Sequence, residues 1–272
     1  TTKSAPQNEM DTEKPRSASR FVVRKLRSAA EVPERVGELI SQTAPDIYRF
    51  IYGDAAAEAL TALAREPGNC FSWTNLWVAY ECDAQATDQG AAVGVLVGYE
   101  PSQLEMGGYV ASMARNFGLW RTLRCALCYN MLYALAGTGA RLPCEERAAH
   151  SFLVQELAVD ERVRGRGIAT RLVNALERHA ARVCEASSPG ARYCLTLEVA
   201  EENHNAQRLY EHLGFERAER APRYHTPFPC LPGAVRWWRM VKDCTEPPFP
   251  DPDCFDESDD ANSGHEEGDK ED

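Results

Sequence analysis

A basic, glycine-containing loop leads directly into an amphipathic helix, and this junction constrains the fold more than any other feature of the sequence. The residues that stand where the helix begins are Arg162, Arg164, Gly165, Arg166 and Gly167. The free N–H groups of a first helical turn carry partial positive charge and favour acidic side chains, whereas glycine lowers helix stability. The junction therefore predicts an anion at this helix end, and its size suits a pyrophosphate.

The segments around this loop predict a strand–helix–strand unit. The strands are expected at 151–160 and 191–200, and the helix between them carries one apolar stripe, formed by Ile168, Leu172, Val173, Leu176 and Val183. Because a helical crossover joins the two strands, they should lie side by side and parallel. Another helix should follow and end at Gly214.

The rest of the chain adds antiparallel strands and helices. Strands are predicted at 21–26, at 70–81 with 91–100 as a hairpin, and in two closing segments at 216–224 and 234–242. Helices are predicted at 28–42 and 45–68, with Asp54 as an N-cap. Residues 101–149 form an apolar, aromatic helical insert, which serves either as a lid and pocket wall or as a core or dimer helix.

The charge of the chain is concentrated near its C-terminus. Residues 243–272 hold 13 Asp and Glu against one Lys, so the remainder carries about +1 of the net charge of −11. This composition predicts a disordered acidic tail, either a solubilising segment or an interaction arm. Residues 1–19 read as a flexible leader. The nearly neutral remainder argues against a nucleic-acid partner.

The remaining compositional signals point to a cytoplasmic protein without a metal. No apolar run of 18 residues is present, so no membrane partner is expected, and the N-terminal segment lacks the apolar core of a signal peptide. Ten scattered cysteines predict buried thiols in a reducing compartment. A single CxxC at Cys125 and Cys128 has no second ligand pair, so metal binding is not expected.

Two motifs together resemble the GNAT N-acetyltransferase superfamily. The loop matches neither a P-loop, which needs a Lys, nor the Rossmann fingerprint, which needs a third Gly. Arg162-x-x-Gly165-x-Gly167 instead resembles the family's Q/R-x-x-G-x-G/A signature. Downstream, the family's N-x-x-A-x-x-L-Y-x-x-x-G-F pattern is matched by Asn203, Ala206, Leu209, Tyr210, Gly214 and Phe215.

The resemblance implies an α/β (α+β) fold with acetyl-CoA as donor. A mixed, mostly antiparallel twisted sheet flanked by helices would span 20–242, and its central parallel strand pair would splay at a bulge to bind CoA. The residues implied in CoA binding are Leu157, Ala158, Val159, Arg162, Arg164, Gly165, Arg166, Gly167, Ile168, Ala169, Thr170, Asn203, Ala206 and Tyr210.

The implied reaction is direct attack of an amine on the thioester within a ternary complex. Tyr210 would give a proton to the leaving thiolate, and Glu156 is the candidate base, with His150 and Gln155 as alternatives or water holders. Glu156 could equally face solvent, and Asn203 could serve only as a helix N-cap.

The resemblance implies that the acceptor is a primary amine of a small molecule or peptide. A homodimer is a further expectation. A lid carrying Trp120, Tyr129, Met131 and Tyr133 favours a small or partly hydrophobic acceptor. A noncatalytic CoA-binding GNAT-like regulatory or interaction domain is the alternative reading.

Overall fold

One mixed sheet organises the chain in the computed structural model, which describes residues 20–82, 90–103, 106–136, 145, 148–218, 224–225 and 236–244. The strands are β1 Arg20–Lys25, β2 Leu76–Cys82, β3 Ala91–Tyr99, β4 His150–Val159, β5 Tyr193–Ala200, β6 Glu216–Arg217, β7 Tyr224–His225 and β8 Arg236–Cys244. Their order in the sheet is β1-β2-β3-β4-β5-β8-β6, and β7 also pairs with β8. Within the described strands, β4 and β5 form the parallel pair and the other pairings are antiparallel. The predicted mixed, mostly antiparallel fold is confirmed.

Helices cover both faces of this sheet. They are α1 Val36–Ser41, α2 Pro45–Tyr52, α3 Ala56–Arg65, α4 Met106–Ala136, α5 Ile168–Ser187 and α6 His204–His212. The apolar stripe of α5 packs on one face, in a core that also includes Trp77, Phe152 and Phe215. Side chains of α1 to α4 pack on the opposite face around Val78, Val95 and Val97. This division follows the alternation of side chains along each strand.

A bulge in β4 sets the geometry at the centre of the sheet. Val97 of β3 pairs with Glu156, but the next residue, Gly98, pairs with Val154, so Gln155 is an extra residue in β4. The parallel pairing of β4 with β5 covers residues 150–154 and goes no further. The two strands therefore separate beyond the bulge, as the resemblance implied.

Three local expectations were wrong. The helix predicted at 28–42 is a single 3-10 turn followed by α1, because Pro33 interrupts it. The first residues of the strand predicted at 70–81 form a turn instead, held by the amides of Asn69 and Asn75. Asp54 lies in a 3-10 turn, and the N-cap of α3 is Ala55.

The helical insert is present as α4, which is kinked at Gly118 (φ 75°, ψ 164°). Five of its described large apolar side chains are exposed, those of Val110, Leu119, Trp120, Leu123 and Leu127. The side chains of Tyr129, Met131 and Tyr133 lie outside the described residues, as do residues 104–105, 137–144 and 146–147. Among the described helices, none is long and apolar enough to cross a membrane.

The two ends of the chain lie largely outside the description. The predicted leader, residues 1–19, falls there entirely, and so does the predicted tail from residue 245 onward. Strand β8 continues to Cys244, which lies two residues beyond the predicted domain boundary at 242.

Candidate active site

The glycine loop leaves a run of backbone donors uncovered at the start of α5. Gly165 (φ 78°) and Gly167 (φ 75°) both adopt the left-handed conformation, and nothing lies within 4 Å of where a Cβ would be built on either. Gly167 is the N-cap of α5 and offers no side chain to the helix. Within the part of the chain that the structure describes, no hydrogen bond reaches the N–H groups of residues 165–170. These donors and the helix dipole form an anion site.

The Arg162 side chain contacts the Asp160 carboxylate within the loop. Its Nε and Nη2 atoms donate to the Asp160 carboxylate at 3.1 and 2.9 Å, and its backbone N–H donates to the same carboxylate at 3.1 Å. Arg35 adds a fourth hydrogen bond to Asp160, at 3.2 Å. These hydrogen bonds, led by the one from the Arg162 side chain, hold the pKa of Asp160 well below its usual range. Arg162 therefore fixes the loop, and its charge is largely offset.

The other two loop arginines also have acidic neighbours. Arg164 donates to the Val159 carbonyl at 3.0 Å and to the Glu161 carboxylate at 3.1 Å. Arg166 lies 4.0 Å from the Glu81 carboxylate, with its guanidinium 5.6 Å from the centre of the Phe21 ring. Both guanidinium groups remain about half exposed, so they can turn to a bound anion.

The edge of β4 beyond the bulge presents main-chain groups to the gap beside β5. The Asp160 N–H donates to the Val93 carbonyl of β3, so the alternation of a strand directs the N–H of Ala158 to β3 as well. The N–H groups of Leu157 and Val159 then point into the gap, where β5 provides no partner. This edge can accept an extended ligand as an added strand.

Glu156 lies at the bulge with its carboxylate held by two hydroxyl groups, those of Thr43 and Tyr48. Burial raises the pKa of Glu156 to about 7, and the two hydrogen bonds partly oppose that rise. The carboxylate is thus ready to exchange a proton near neutral pH. This placement contradicts the alternative of a solvent-facing strand residue.

Tyr210 and Asn203 both lie on or next to α6. Tyr210 is buried against Phe215, with ring centres 5.8 Å apart. Burial first, and the nearby Glu156 carboxylate second, raise the pKa of its phenol well above the usual value. Asn203 caps α6 by accepting the Ala206 N–H at 3.1 Å, so the N-cap role holds.

The structure separates His150 from the site. It stands six residues before Glu156, about 20 Å along the strand, and contacts Glu100 at 3.1 Å and Ser187 at 2.6 Å. Gln155 is nearer, but its side-chain oxygen accepts a hydrogen bond from Tyr99. Neither residue is brought to the Glu156 carboxylate.

Sequence reasoning missed Thr43, Tyr48 and Arg35. These residues come from the first hundred residues of the chain, and the packing of α1 on β3 and β4, with α2 in the same core, brings them to β4. Nothing in their local sequence marks them, whereas Asp160 directly ends the strand before the loop and could have been noted. Among the described residues no cluster of His, Cys, Asp and Glu could hold a metal ion.

Several solved structures are similar to this chain. None of the curated proteins matches the chain significantly. Similar solved structures include one described as an acetyltransferase, which is 20% identical over 83% of this chain and 100% of its own, with a TM-score of 0.46. An N-acetyltransferase from Staphylococcus aureus Mu50 is 16% identical over 81% of this chain and 99% of its own, with a TM-score of 0.46. Ard1 from Thermoplasma volcanium is 19% identical over 83% and 99%, with a TM-score of 0.43.

The sequence supplies a further similarity. Residues 84–215 match the family described as "Acetyltransferase (GNAT) family", and this range covers the bulged strand, the glycine loop and α6. This part of the chain is therefore similar in sequence to the GNAT acetyltransferases.

Proposed function

We propose that the chain transfers an acetyl group from acetyl-CoA to a primary amine of a small molecule or a peptide. The observation that carries this proposal is the run of uncovered N–H groups at 165–170, which continues into the unpaired edge of β4 beside Glu156. Acetyl-CoA supplies the acetyl group as a thioester. The pyrophosphate of the donor needs an anion site, its pantetheine arm needs an extended edge, and its thioester needs a proton-exchanging group nearby. This chain offers these three features one after another in space, from the loop at 165–170 along β4 to Glu156.

The binding roles follow from which groups face outward. The backbone N–H groups at 165–170 hold the pyrophosphate, with Arg164 and Arg166 as flexible cations beside them. The main chain of Leu157 and Val159 holds the pantetheine arm along the gap. Arg162 acts through Asp160 as a positioning residue for the loop.

Glu156 is proposed as the base that takes the proton of the incoming amine. A carboxylate with a pKa near 7 is about half ionised at neutral pH and is a stronger base than an ordinary glutamate. The hydroxyl groups of Thr43 and Tyr48 fix its orientation, and they lower its pKa toward the working range. Most of the remaining acceleration comes from holding amine and thioester together.

Tyr210 is proposed to assist the departing thiolate. Its raised pKa keeps the phenol protonated through neutral pH, so the hydroxyl can donate to the sulfur as negative charge develops there. The same shift makes complete transfer of the proton less favourable. A hydrogen bond that strengthens as the thiolate leaves is therefore the larger part of its role.

Calorimetric titration with acetyl-CoA tests the donor site. Gly165→Glu should weaken binding at least about tenfold, because it places a carboxylate among the N–H donors. Gly190→Glu is the matched control, since Gly190 has a similar φ of 72° and equally open space in another loop. Equal binding by all three proteins would overturn the donor site.

Turnover separates an enzyme from a CoA-binding domain without activity. Release of free thiol should accompany acetylation when amines and peptides are supplied with acetyl-CoA. Tight binding of acetyl-CoA without thiol release from any amine would favour the noncatalytic alternative.

We further propose a cytoplasmic location and leave the homodimer as a prediction. The location is supported by the free thiols of Cys82, Cys184 and Cys244, of which the last two are buried. The exposed apolar residues of α4 support a self-association surface, which light scattering of the wild type and of Trp120→Glu would test.

A further inference from the structure

A cavity of about 390 Å³ lies at the end of the sheet where β4 begins. The glycine loop follows the other end of β4, and Phe152 in the cavity wall is about 13 Å along the strand from Glu156. The lining residues that matter here are Lys25, Trp77, Glu100, Phe152 and His179. This cavity is therefore separate from the proposed acetyl-CoA site.

A partly buried cation faces this cavity. The Lys25 Nζ lies 3.0 Å from His179 Nε2 and 4.9 Å from the centre of the Trp77 ring. Among the described residues no carboxylate lies within 4.0 Å of this ammonium group. Burial, followed by the charge of Arg182, lowers the pKa of Lys25 to about 8. An ammonium in such a place gains from an anion that enters the cavity.

Aromatic rings supply the apolar wall. Trp77 is the cross-strand partner of Lys25, so both side chains stand on the same face of the sheet. The rings of Trp77 and Phe152 meet the His179 ring edge-on at 5.4 and 6.3 Å between centres. A flat ring can lie beside such surfaces.

The polar groups opposite Lys25 are already engaged. Glu100 pairs with His150 at 3.1 Å, and its side chain is only 10% exposed. The amide of Asn69 donates to the carbonyls of Leu63 and Glu66, both at 3.0 Å. Among the described lining residues, Lys25 is the one lysine or arginine, and it stands beside aromatic rings in a volume typical of small-ligand pockets.

We propose that this cavity binds a small aromatic carboxylate, with its carboxylate on the Lys25 ammonium and its ring against Trp77 and Phe152. The proposal goes beyond acetyl transfer, because no residue of the anion site or of the Glu156 site lines the cavity. Charge-assisted hydrogen bonding supplies the orientation, and burial of the ring supplies affinity.

Calorimetry with 2-naphthoate and with its neutral partner 2-naphthamide tests this site. The wild type should bind 2-naphthoate saturably and 2-naphthamide at least about tenfold more weakly. Lys25→Met should bind 2-naphthoate at least about tenfold more weakly than the wild type does, because the variant keeps the apolar stem and removes the charge. Arg24→Met is the matched control, because Arg24 is the exposed neighbour on the same strand. It should bind as the wild type does.

Three results would overturn the proposal. They are equal binding of 2-naphthoate and 2-naphthamide by the wild type, equal binding of 2-naphthoate by the wild type and Lys25→Met, and no saturable binding by the wild type. The comparison of carboxylate with amide needs no variant, so it decides the matter even if Lys25→Met does not fold. Acetyl-CoA titrated into the same samples keeps this outcome separate from that of the proposed function.

Discussion

At the scale of single residues, the orientation of Glu156 is set by the residue before it. Val154 faces α5, and strict alternation would turn Glu156 to the same face. The extra residue Gln155 reverses the alternation, so the carboxylate meets Thr43 and Tyr48 on the opposite face. The bulge thus places the Glu156 carboxylate among hydroxyl groups, on the face where burial raises its pKa.

Glu156→Gln should lower kcat/KM about 10²- to 10⁴-fold at neutral pH, because it removes the proposed base and keeps the shape. The wild-type rate should rise through pH 7, the pKa of Glu156, and then level off. That rise should vanish in the variant. Glu216→Gln, at an exposed position, is the control, and an unchanged pH profile in Glu156→Gln would remove the residue from catalysis.

Tyr48→Phe tests positioning separately from proton transfer. The hydrogen bond from Tyr48 lowers the pKa of Glu156, so its loss should move the rise in rate to higher pH, by about one unit. Tyr52→Phe removes a neighbouring hydroxyl that bonds Tyr109 at 2.8 Å, and it should leave the profile in place. Identical shifts in both variants would show a general effect of helix α2 instead.

At the scale of elements, β8 is attached both to β5 and to α5. It pairs with every residue of β5, and Lys242 of β8 bonds Glu177 of α5 at 2.7 Å. The Glu177 side chain is 6% exposed and that of Lys242 is 22% exposed. A strand remote in sequence thereby holds the helix that carries the anion site.

Glu177→Ala should reduce the free energy of unfolding by about 2–3 kcal/mol, because it leaves Lys242 partly buried without its carboxylate. Glu34→Ala removes the exposed partner of Arg65 and should cost less than about 1 kcal/mol. Urea unfolding of the two variants measures both values. Similar losses would mean that the β8–α5 pair is no more important than a surface ion pair.

At the scale of the whole molecule, the raised pKa of Glu156 couples stability to pH. The folded protein holds this proton more tightly than the unfolded chain, whose glutamates titrate near pH 4.5. The contribution is therefore complete below pH 4.5 and is lost as pH rises through 7, by at most about 3 kcal/mol. In Glu156→Gln this loss should be absent, so the variant should exceed the wild type in stability at pH 8, measured by urea unfolding.

The end of β8 sets the C-terminal boundary of the segment that the fold requires. Cys244 is 4% exposed and pairs with Tyr193, the first residue of β5. A chain ending at Lys242 should lose about 2 kcal/mol of unfolding free energy, because it lacks this buried side chain and the last ladder bonds. A chain ending at Cys244 should match the full chain in the same urea experiment. Equal stability of both shortened chains would place the boundary at 242.

The sequence by itself determined the features that are local in the chain. Periodicity and glycine placement determined the β4–α5–β5 unit and its parallel pair, and the basic glycine loop indicated an anion site. The motif at 203–215 located α6 and its cap. Each of these features depends on contacts between residues close in sequence, or on a helical crossover, which nearly always joins two parallel strands with a right-handed connection.

Only the tertiary structure decided what the site can do chemically. The hydroxyl groups that hold Glu156 come from residues more than 100 positions away, and no local pattern predicts such a meeting. The same holds for Arg166, whose guanidinium lies 4.0 Å from the Glu81 carboxylate of the distant strand β2. Burial depends on how the helices pack on the sheet, so the raised pKa of Glu156 exists only in the folded chain. The cavity beside Lys25 depends on the same packing.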